Sequence, residues 1–314
     1  MVIAGIVAGG TGSRMNKAYH ESVHSKDAAR GGFPVSQAGN CPKQFMEIGG
    51  KAILLHTIEK FLTSPDIDAV VVGVHPNWKK YLEELLDKFQ IGESLVSPEL
   101  NIQSEASDRE HALGDDGNRP DVSSQASESK KILAVAAGSD CTNLSALTFA
   151  KREILIVTGG GDRTDTLNRI VEAAAVRWQL SDEDIFVTHD AVRPFVTQEI
   201  IHENVFAARE YGICGTAIAA TDTILHSSDG EFIEDIPLRS EMYQAQTPQS
   251  FQYGIYRDVY HGLTQEELAS LTDACGMFYR KGCEVYMVPG DVRNFKITYP
   301  QDLQLAKALV RRKH

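Results

Sequence analysis

Six short apolar runs, separated by stretches with helical periodicity, constrain the fold of this chain more than any other feature. The runs are rich in Val, Ile and Ala and are almost continuously apolar. Strands of this composition are buried on both faces, as in a mostly parallel sheet that helices cover on either side. We predict strands at 2–7, 68–74, 153–159, 184–190, 214–220 and 284–288.

Helical patterns fill the intervals between these runs. Apolar residues recur with helical spacing from Leu167 to Ala174 and from Ile201 to Ala208. Residues 53–62 predict a further helix, and Thr298 with Gln301 has capping-box spacing before an apolar C-terminal helix. The sequence therefore predicts an α/β fold with a Rossmann-like, mostly parallel sheet. It shows no internal repeat.

Two polar stretches break the alternation, at 17–40 and at about 95–150. Both are rich in small and charged residues and lack a lasting period. We interpret them as insertions on a compact core.

Composition excludes several classes of partner and location. The net charge is -12, and the only basic cluster is the terminal RRKH, so we expect no long nucleic acid as a ligand. No apolar stretch approaches the length of a membrane span, so we expect no membrane contact. Five widely spaced cysteines without a CxxC motif indicate reduced thiols and a cytoplasmic location.

The first predicted strand runs directly into the glycine loop AGGTGSRM. Glycines let the backbone approach an anion and direct N–H groups towards it. The loop lacks the Lys-Ser/Thr of a Walker motif, and Met15 stands where a dinucleotide fingerprint has its third glycine. A tight turn without a ligand is the alternative. Arg14 and Lys43 add two cations that suit a triphosphate.

Two further strands end in GGGDRTDT and THDAVRPF. Ligands of open α/β sheets bind beyond the carboxyl ends of the strands, so three chemically rich loops are expected to converge there. Asp190 is a candidate Mg²⁺ ligand. A helix N-cap or a salt bridge with Arg193 are its alternatives.

Six motifs occur in this order along the chain: AGGTGSRM…PKQF, GGGDRTDT, THDAVRPF, QTPQSF, TDACGM and NFKIT. Together they resemble the sugar-alcohol-phosphate cytidylyltransferases over nearly the whole chain except the insertions. The resemblance implies one domain over 1–314, of nucleotidyltransferase type, with a protruding β-arm at about 218–250. It further implies a homodimer with shared active sites, because in the family the arm reaches into the neighbouring subunit.

The resemblance also implies a reaction of CTP with a polyol phosphate, with Mg²⁺ near Asp190 bridging the phosphates. Arg14 and Lys43 would stabilise the transition state. The expected CTP-binding residues are Val7, Ala8, Gly9, Gly10, Gly159, Gly160, Gly161, Asp162, Arg163, Asp165, Thr166 and Ala191. The expected polyol-phosphate-binding residues are Arg239, Lys296, Thr247, Thr272 and Thr223.

The acceptor separates two branches of the family. The stretch IPLRSEMYQAQTPQSF, with HDAVRPF and TDACGM, is more similar to the ribitol-5-phosphate branch, which serves wall teichoic acid or capsule synthesis. The 2-C-methyl-D-erythritol 4-phosphate branch of isoprenoid synthesis is the alternative. The long spacing between Arg14 and Lys43 departs from the family, and we hypothesise that 17–40 is a lid that orders on CTP binding.

Two other classes of function fit the sequence less well. A dinucleotide oxidoreductase needs an acidic residue about 20 positions beyond its glycines, where Glu47 is a poor match. A nucleotide-sensing module without chemistry would have lost Arg14, Lys43 or Lys296, and all three are present. The motif set favours the transferase.

Overall fold

The computed structural model describes residues 1–10, 41–91, 93–95 and 152–311. Both predicted insertions lie outside these residues, apart from Leu95, and so do Arg14 and the proposed lid. The strands are β1 (Val2–Ala8), β2 (Glu47–Ile48), β3 (Lys51–Ala52), β4 (Ala69–Val74), β5 (Glu93–Leu95), β6 (Glu153–Thr158), β7 (Ile185–Asp190), β8 (Ile213–Ala219), β9 (Tyr243–Gln252) and β10 (Tyr286–Pro289). The helices are α1 (Ile53–Leu62), α2 (Lys79–Lys88), α3 (Arg163–Trp178), α4 (Gln198–Tyr211), α5 (Tyr253–His261), α6 (Gln265–Ala269), α7 (Ala274–Arg280) and α8 (Pro300–Arg311).

Eight of the described strands form one sheet in the order β10-β8-β9-β7-β1-β4-β6-β5. Neighbours pair in parallel except at β9, which runs antiparallel to both β7 and β8. Strands β2 and β3 form a separate short hairpin. The predicted α/β fold with a mostly parallel sheet is confirmed, and each of the six predicted strands lies within two residues of an observed one.

Strand β9 was not predicted as part of the central sheet, because its sequence YQAQTPQSFQ is polar and contains a proline. Its buried residues Gln246, Thr247, Gln249 and Ser250 all hydrogen bond to neighbouring elements. The predicted arm at about 218–250 therefore ends earlier than expected. Its last residues belong to the sheet.

The helices cover both faces of the sheet, as near-continuously apolar strands require. Successive β1 residues face opposite sides: Ile3 packs with α3, α5 and α7, whereas Ala4 and Ile6 pack with α1, α2 and α4. Helix α8 contributes Ala306 to a third cluster beside β2. No helix in the described part of the chain is long and apolar enough to cross a membrane.

The start of α8 differs from the prediction. The Asp302 carboxylate, three residues into the helix, accepts the backbone N–H of Thr298 and Tyr299 at 2.8 Å each. The Thr298 hydroxyl donates instead to the Lys296 carbonyl at 3.3 Å. The predicted pair of Thr298 and Gln301 was wrong, because a carboxylate at the third helical position takes the donors at this end.

Residues 221–242, here called the arm, leave the sheet between β8 and β9 and are almost entirely exposed. His226 and Asp235 pair within it, and a single 3₁₀ turn spans Arg239–Glu241. Large apolar side chains are exposed along it, including Phe232 at 71% and Leu238 at 64%. Several large exposed apolar side chains within one segment are typical of an interaction surface.

Candidate active site

The carboxyl ends of four parallel strands meet at one edge of the sheet. Val7 of β1 is paired with Asp190 of β7, Ala8 with Val74 of β4, and Val74 with Thr158 of β6. The chain builds the sheet outward on one side of β1, through β4 and β6, and then crosses to β7 on the other side. Ligands of such sheets bind at this point of reversal.

The first glycine loop is held by the PKQF motif. Gln44 lies in a 3₁₀ turn, Lys43–Phe45, and its side-chain amide donates to the carbonyls of Ala8 and Gly10 at 2.8 Å each. The segment after the first insertion therefore returns to the loop, as the proposed role of Lys43 requires. Gln44 was missed as a site residue, although it belongs to the quoted motif.

The second glycine loop closes onto the beginning of α3. The Gly160 N–H donates to the Thr166 hydroxyl at 3.0 Å, and the Gly161 N–H donates to Asp165 at 2.8 Å. Asp162 caps α3 by accepting the Asp165 N–H at 2.8 Å. These predicted nucleotide-binding residues therefore lie at one helix N-terminus, which favours an anion.

Each glycine loop has a position that leaves no room for a side chain near α3. A Cβ on Gly9 would lie 2.7 Å from Thr166 Oγ1, and one on Gly160 would lie 2.0 Å from Asp165 Oδ2. A Cβ on Gly73 of β4 would meet Thr166 Cγ2 at 2.7 Å. Thr166 therefore packs between the ends of β1, β4 and β6, and ties the two loops into one surface.

Three cations surround the single carboxylate of Asp190. Arg163 Nε lies 3.3 Å from Oδ1, Lys296 Nζ lies 2.9 Å from Oδ2 and Arg193 Nε lies 3.5 Å from Oδ2. We call these four residues the Asp190 cluster. Its formal charge is positive, so the cluster suits a phosphate group.

The electrostatics keep Asp190 ionised. Burial acts to raise its pKa, but Arg163, Lys296 and Arg193 outweigh burial and hold the pKa of this carboxyl well below its usual range. Burial also lowers the pKa of Arg193, which Asp190 partly offsets. The predicted salt bridge with Arg193 is confirmed. The N-cap alternative was wrong, because α4 is capped by Thr197.

Unpartnered polar atoms concentrate around this cluster. Five buried side-chain nitrogen or oxygen atoms of the described residues lack a hydrogen bond: Arg163 Nη2, Arg193 Nε, Thr188 Oγ1, Asn294 Oδ1 and Ser64 Oγ. Arg163 and Arg193 belong to the cluster. Thr188 lies on β7, and Asn294 accepts a hydrogen bond from Arg193 through its backbone carbonyl. Buried polar atoms without a hydrogen bond are uncommon in folded proteins, and their concentration here indicates a ligand site.

A hydrogen-bond network holds Asp190 from beneath. Its backbone N–H donates to the Thr247 hydroxyl at 3.1 Å, and Thr247 Oγ1 lies 3.0 Å from His189 Nδ1. Thr57 of α1 donates to the Ala191 carbonyl at 2.9 Å. Thr247 is 4% exposed, so the structure places this predicted acceptor-binding residue beneath the site, bonded to its backbone.

Asn294, from the NFKIT motif, joins the two sides of the cluster. Its amide donates to Gln246 Oε1 at 3.1 Å and to the Thr247 carbonyl at 2.8 Å. Its backbone carbonyl accepts from Arg193 Nη1 at 2.8 Å. Arg193, Asn294, Gln246 and His189 were missed as site residues, although each lies inside or beside a motif that was singled out.

The remaining predicted residues lie elsewhere. Thr223 and Arg239 are exposed on the arm. Thr272 is exposed directly before Asp273, which caps α7 and accepts from Gln249 at 2.7 Å. Ala191 is buried at the end of β7, where its N–H donates to the Val7 carbonyl at 3.2 Å.

The donor set at Asp190 would hold Mg²⁺ only together with substrate phosphates and water. No cluster of three or more Asp, Glu, His or Cys residues occurs in the parts of the chain that the structure describes. Mg²⁺ at nucleotide sites is held by one or two carboxylates together with substrate phosphates and water. Asp190 would supply one such carboxylate, and both of its oxygens also face a cation of the cluster.

A mostly parallel sheet with two glycine loops and a cationic cluster at its point of reversal is typical of nucleotide-binding enzymes of the Rossmann-like type. The model of the 2-C-methyl-D-erythritol 4-phosphate cytidylyltransferase family matches residues 121–312, and the chain belongs to this family. It is an enzyme of the cytidylyltransferase class, and the resemblance predicted from the motifs is confirmed.

The curated relatives match the chain over almost its full length. The ribitol-5-phosphate cytidylyltransferases of Streptococcus pneumoniae strain ATCC 700669 / Spain 23F-1 and of serotype 2 strain D39 are each 35% identical over 310 residues, which cover 99% of both chains.

Solved structures share the fold. The 4-diphosphocytidyl-2C-methyl-D-erythritol synthase of Anaerococcus prevotii DSM 20548 has a TM-score of 0.61 at 20% identity, covering 99% of this chain and 98% of that one. The 2-C-methyl-D-erythritol 4-phosphate cytidylyltransferase of Thermus thermophilus has a TM-score of 0.56 at 20% identity, covering 99% and 100%.

Proposed function

We propose that this enzyme makes CDP-ribitol and pyrophosphate from CTP and D-ribitol 5-phosphate, for the synthesis of wall teichoic acid or capsule. The observation that carries the proposal is the Asp190 cluster, where three cations meet beside two glycine loops. The acceptor is supported by relatives named ribitol-5-phosphate cytidylyltransferase, which are 35% identical over 99% of this chain.

The chemistry needs cations rather than a general base. An oxygen of the acceptor phosphate attacks the α-phosphorus of CTP, a new P–O bond forms, and the bond to the pyrophosphate leaving group breaks. The nucleophile is already anionic, so the barrier comes from bringing two anions together and from charge at the transferring phosphoryl group. Lys296 and Arg193 would hold the acceptor phosphate, and Lys43 with Arg14 would stabilise the transition state.

The nucleotide has a separate surface in this proposal. The backbone of Gly9 and Gly10 and the N-terminus of α3 would hold CTP. Asp190 would hold Mg²⁺, which when bound supplies charge neutralisation to the phosphates. The ionised state of Asp190, which its cationic neighbours maintain, is the form that this role requires.

We propose further that the enzyme is a cytoplasmic homodimer with shared active sites. The exposed apolar side chains of the arm would pack against a second copy, and Arg239 and Thr223 would enter the partner's site. The cytoplasmic location is supported by the four described cysteines, which are all unpaired thiols.

Pyrophosphate release with CTP and Mg²⁺ tests the reaction. Three mixtures are compared: D-ribitol 5-phosphate, 2-C-methyl-D-erythritol 4-phosphate and no acceptor. Turnover with the first acceptor alone is expected. Turnover with the second alone would transfer the enzyme to isoprenoid synthesis, which the description of the matched family model favours. If neither acceptor releases pyrophosphate, the proposed reaction is wrong.

A further inference from the structure

The imidazole of His189 is wholly buried behind the site, where it has no route to substrate. Its Nδ1 lies 3.0 Å from Thr247 Oγ1, and its Nε2 lies 3.1 Å from the Arg193 carbonyl oxygen. The ring of Phe61, from α1, lies against it with centroids 5.0 Å apart. All the polar atoms of the ring are therefore used inside the protein.

The partners determine where each proton lies. The Arg193 carbonyl can only accept, so Nε2 carries the ring proton and donates to it. The Thr247 hydroxyl accepts the backbone N–H of Asp190 at 3.1 Å, so its own proton is directed to Nδ1. One direction of donation therefore runs from Asp190 N–H through Thr247 to the imidazole and on to Arg193.

This chain of hydrogen bonds spans the turn that carries two members of the Asp190 cluster. It ties the backbone at Asp190, the first residue of the turn, to the carbonyl of Arg193, the last. The Arg193 N–H also donates to the Asp190 carbonyl at 3.1 Å. The spacing of the two side chains, which meet at 3.5 Å, depends on how this turn is held.

We propose that His189 is a positioning residue for the transfer reaction: its neutral ring, donating to Arg193 and accepting from Thr247, holds Asp190 and Arg193 in the geometry that receives the acceptor phosphate. The kinetic part of this inference rests on the proposed function. The ring acts through Thr247 and through the turn, and it touches neither substrate.

Two substitutions separate the two halves of the network. His189→Gln places an amide where Nε2 lies, so it can still donate to Arg193 but gives Thr247 no acceptor. His189→Asn places its amide oxygen where Nδ1 lies, so it can still accept from Thr247 but leaves the Arg193 carbonyl free. We expect each variant to raise the KM for the acceptor about fivefold to tenfold, as for the loss of one buried hydrogen bond, with kcat within about twofold.

A matched control separates positioning from packing. Val187 is fully buried on the same strand and lies outside the network, so Val187→Ala is expected to lower the melting temperature without changing the KM for the acceptor. In a Thr247→Val background, His189→Gln is expected to add nothing to the KM, because its effect passes through the lost hydroxyl. A wild-type KM in both His189 variants, or full additivity with Thr247→Val, would overturn the proposal.

Two measurements keep the inference separate from the choice of acceptor. Nitrogen-15 NMR of the full-length enzyme, with the signal assigned by its loss in His189→Gln, should show a neutral ring protonated on Nε2 at pH 7. Calorimetric titration with inorganic phosphate should show weaker binding in both variants. If the wild type turns over neither acceptor, the proposed function fails, and these two measurements still decide the role of His189. A ring protonated on Nδ1, or phosphate affinity unchanged in both variants, contradicts it.

Discussion

The charge balance of the site is set by four side chains from three separate parts of the chain. Asp190 ends β7, Arg193 follows it by three residues, Arg163 begins α3 and Lys296 precedes α8. One carboxylate holds three like-charged groups within reach of each other. The three cations repel one another, and an incoming phosphate would relieve that repulsion.

Replacing Lys296 tests the cluster most directly. Lys296→Gln removes the cation that lies 2.9 Å from Asp190, and we expect kcat/KM to fall about 10²- to 10³-fold, because a charged donor to the phosphate is lost. Lys307 is exposed on α8, so Lys307→Gln gives the same charge change away from the site. Steady-state kinetics of both variants are compared. Equal activity in the two would remove Lys296 from the reaction.

A glycine substitution tests the packing of the second loop. Gly160→Ala would place Cβ 2.0 Å from Asp165 Oδ2, so the carboxylate must move and release the Gly161 N–H. We expect a lower melting temperature and at least about tenfold weaker CTP binding by calorimetry, as two loop hydrogen bonds depend on this geometry. For the melting temperature, Gly10→Ala is the control, because its Cβ meets no atom within 4 Å. Equal melting temperatures would contradict the steric argument.

At the scale of elements, β7 positions Asp190, and α1 packs against the end of β7. Helix α1 supports the end of β7 through Thr57, which bonds to Ala191, and through Phe61, which packs against His189. Strand β9 supports the same residues from the side through Thr247. The carboxylate is therefore held by backbone contacts of regular elements rather than by a free loop, which limits how far it can move.

The burial of His189 makes stability depend on pH. Burial lowers the pKa of His189 to about 4, from an ordinary value of 6.5, so the folded ring stays neutral while the unfolded ring takes up a proton below pH 6.5. The stabilisation is therefore present above pH 6.5 and is lost as the pH falls from 6.5 towards 4. We expect this residue to cost the wild type about 2 kcal/mol in free energy of unfolding between pH 7 and pH 5.

Urea unfolding of wild type and His189→Gln at both pH values measures this contribution. The other titrating groups are common to the two proteins, so their difference in pH dependence isolates the ring. A variant that loses as much stability on acidification as the wild type would show that His189 is not the group responsible.

Arg152 stabilises the end of α1. Its Nη1 donates to the carbonyls of Phe61 at 3.4 Å and Leu62 at 3.0 Å and also to that of Ser64. Arg152→Ala leaves these helix-terminal acceptors without the charged donor, and we expect a loss of about 1–3 kcal/mol in the free energy of unfolding. Arg177→Ala is the control, because its exposed ion pair with Glu153 is worth at most about 1 kcal/mol. Equal losses in urea titrations would argue against a special role for Arg152.

At the scale of the whole molecule, the arm is the part of the described chain that leaves many large apolar side chains exposed. Its apolar residues are exposed, and two of the predicted acceptor ligands, Arg239 and Thr223, lie on it rather than in the Asp190 cluster. A second copy that packs on the arm would bury these apolar residues. Arg239 and Thr223 would then lie in the active site of that second copy.

Complementation tests this arrangement. Arg239→Ala and Lys296→Gln are each expected to inactivate both sites of a homodimer. After mixed refolding or co-expression, half of the dimers carry both variants, and each of these has one intact site, so about a quarter of wild-type activity should return. Sedimentation of the wild type gives the oligomeric state. A monomer, or a mixture no more active than its parts, would exclude shared sites.

The apolar patterning of the strands and the motif order predicted the class of fold and of enzyme without coordinates. Buried parallel strands and amphipathic helices leave periodic signals that depend on neighbours only through burial. The strand β9 escaped this reasoning, because Gln246, Thr247 and Ser250 are buried by hydrogen bonds rather than by apolar character. The same holds for Asn294 and His189, whose importance lies in their partners.

The sequence therefore predicted the local chemistry: glycine loops at strand ends, a carboxylate at the end of β7 and a lysine before the last helix. The gathering of Arg163, Arg193 and Lys296 around Asp190, and the network beneath it, arise only when β7, β9, α1 and α3 pack together. These residues are up to 133 positions apart in the sequence, between Arg163 and Lys296. Periodicity records which side of an element is buried, but it carries no information on which distant side chains will meet, and that meeting determines the charge and geometry of the site.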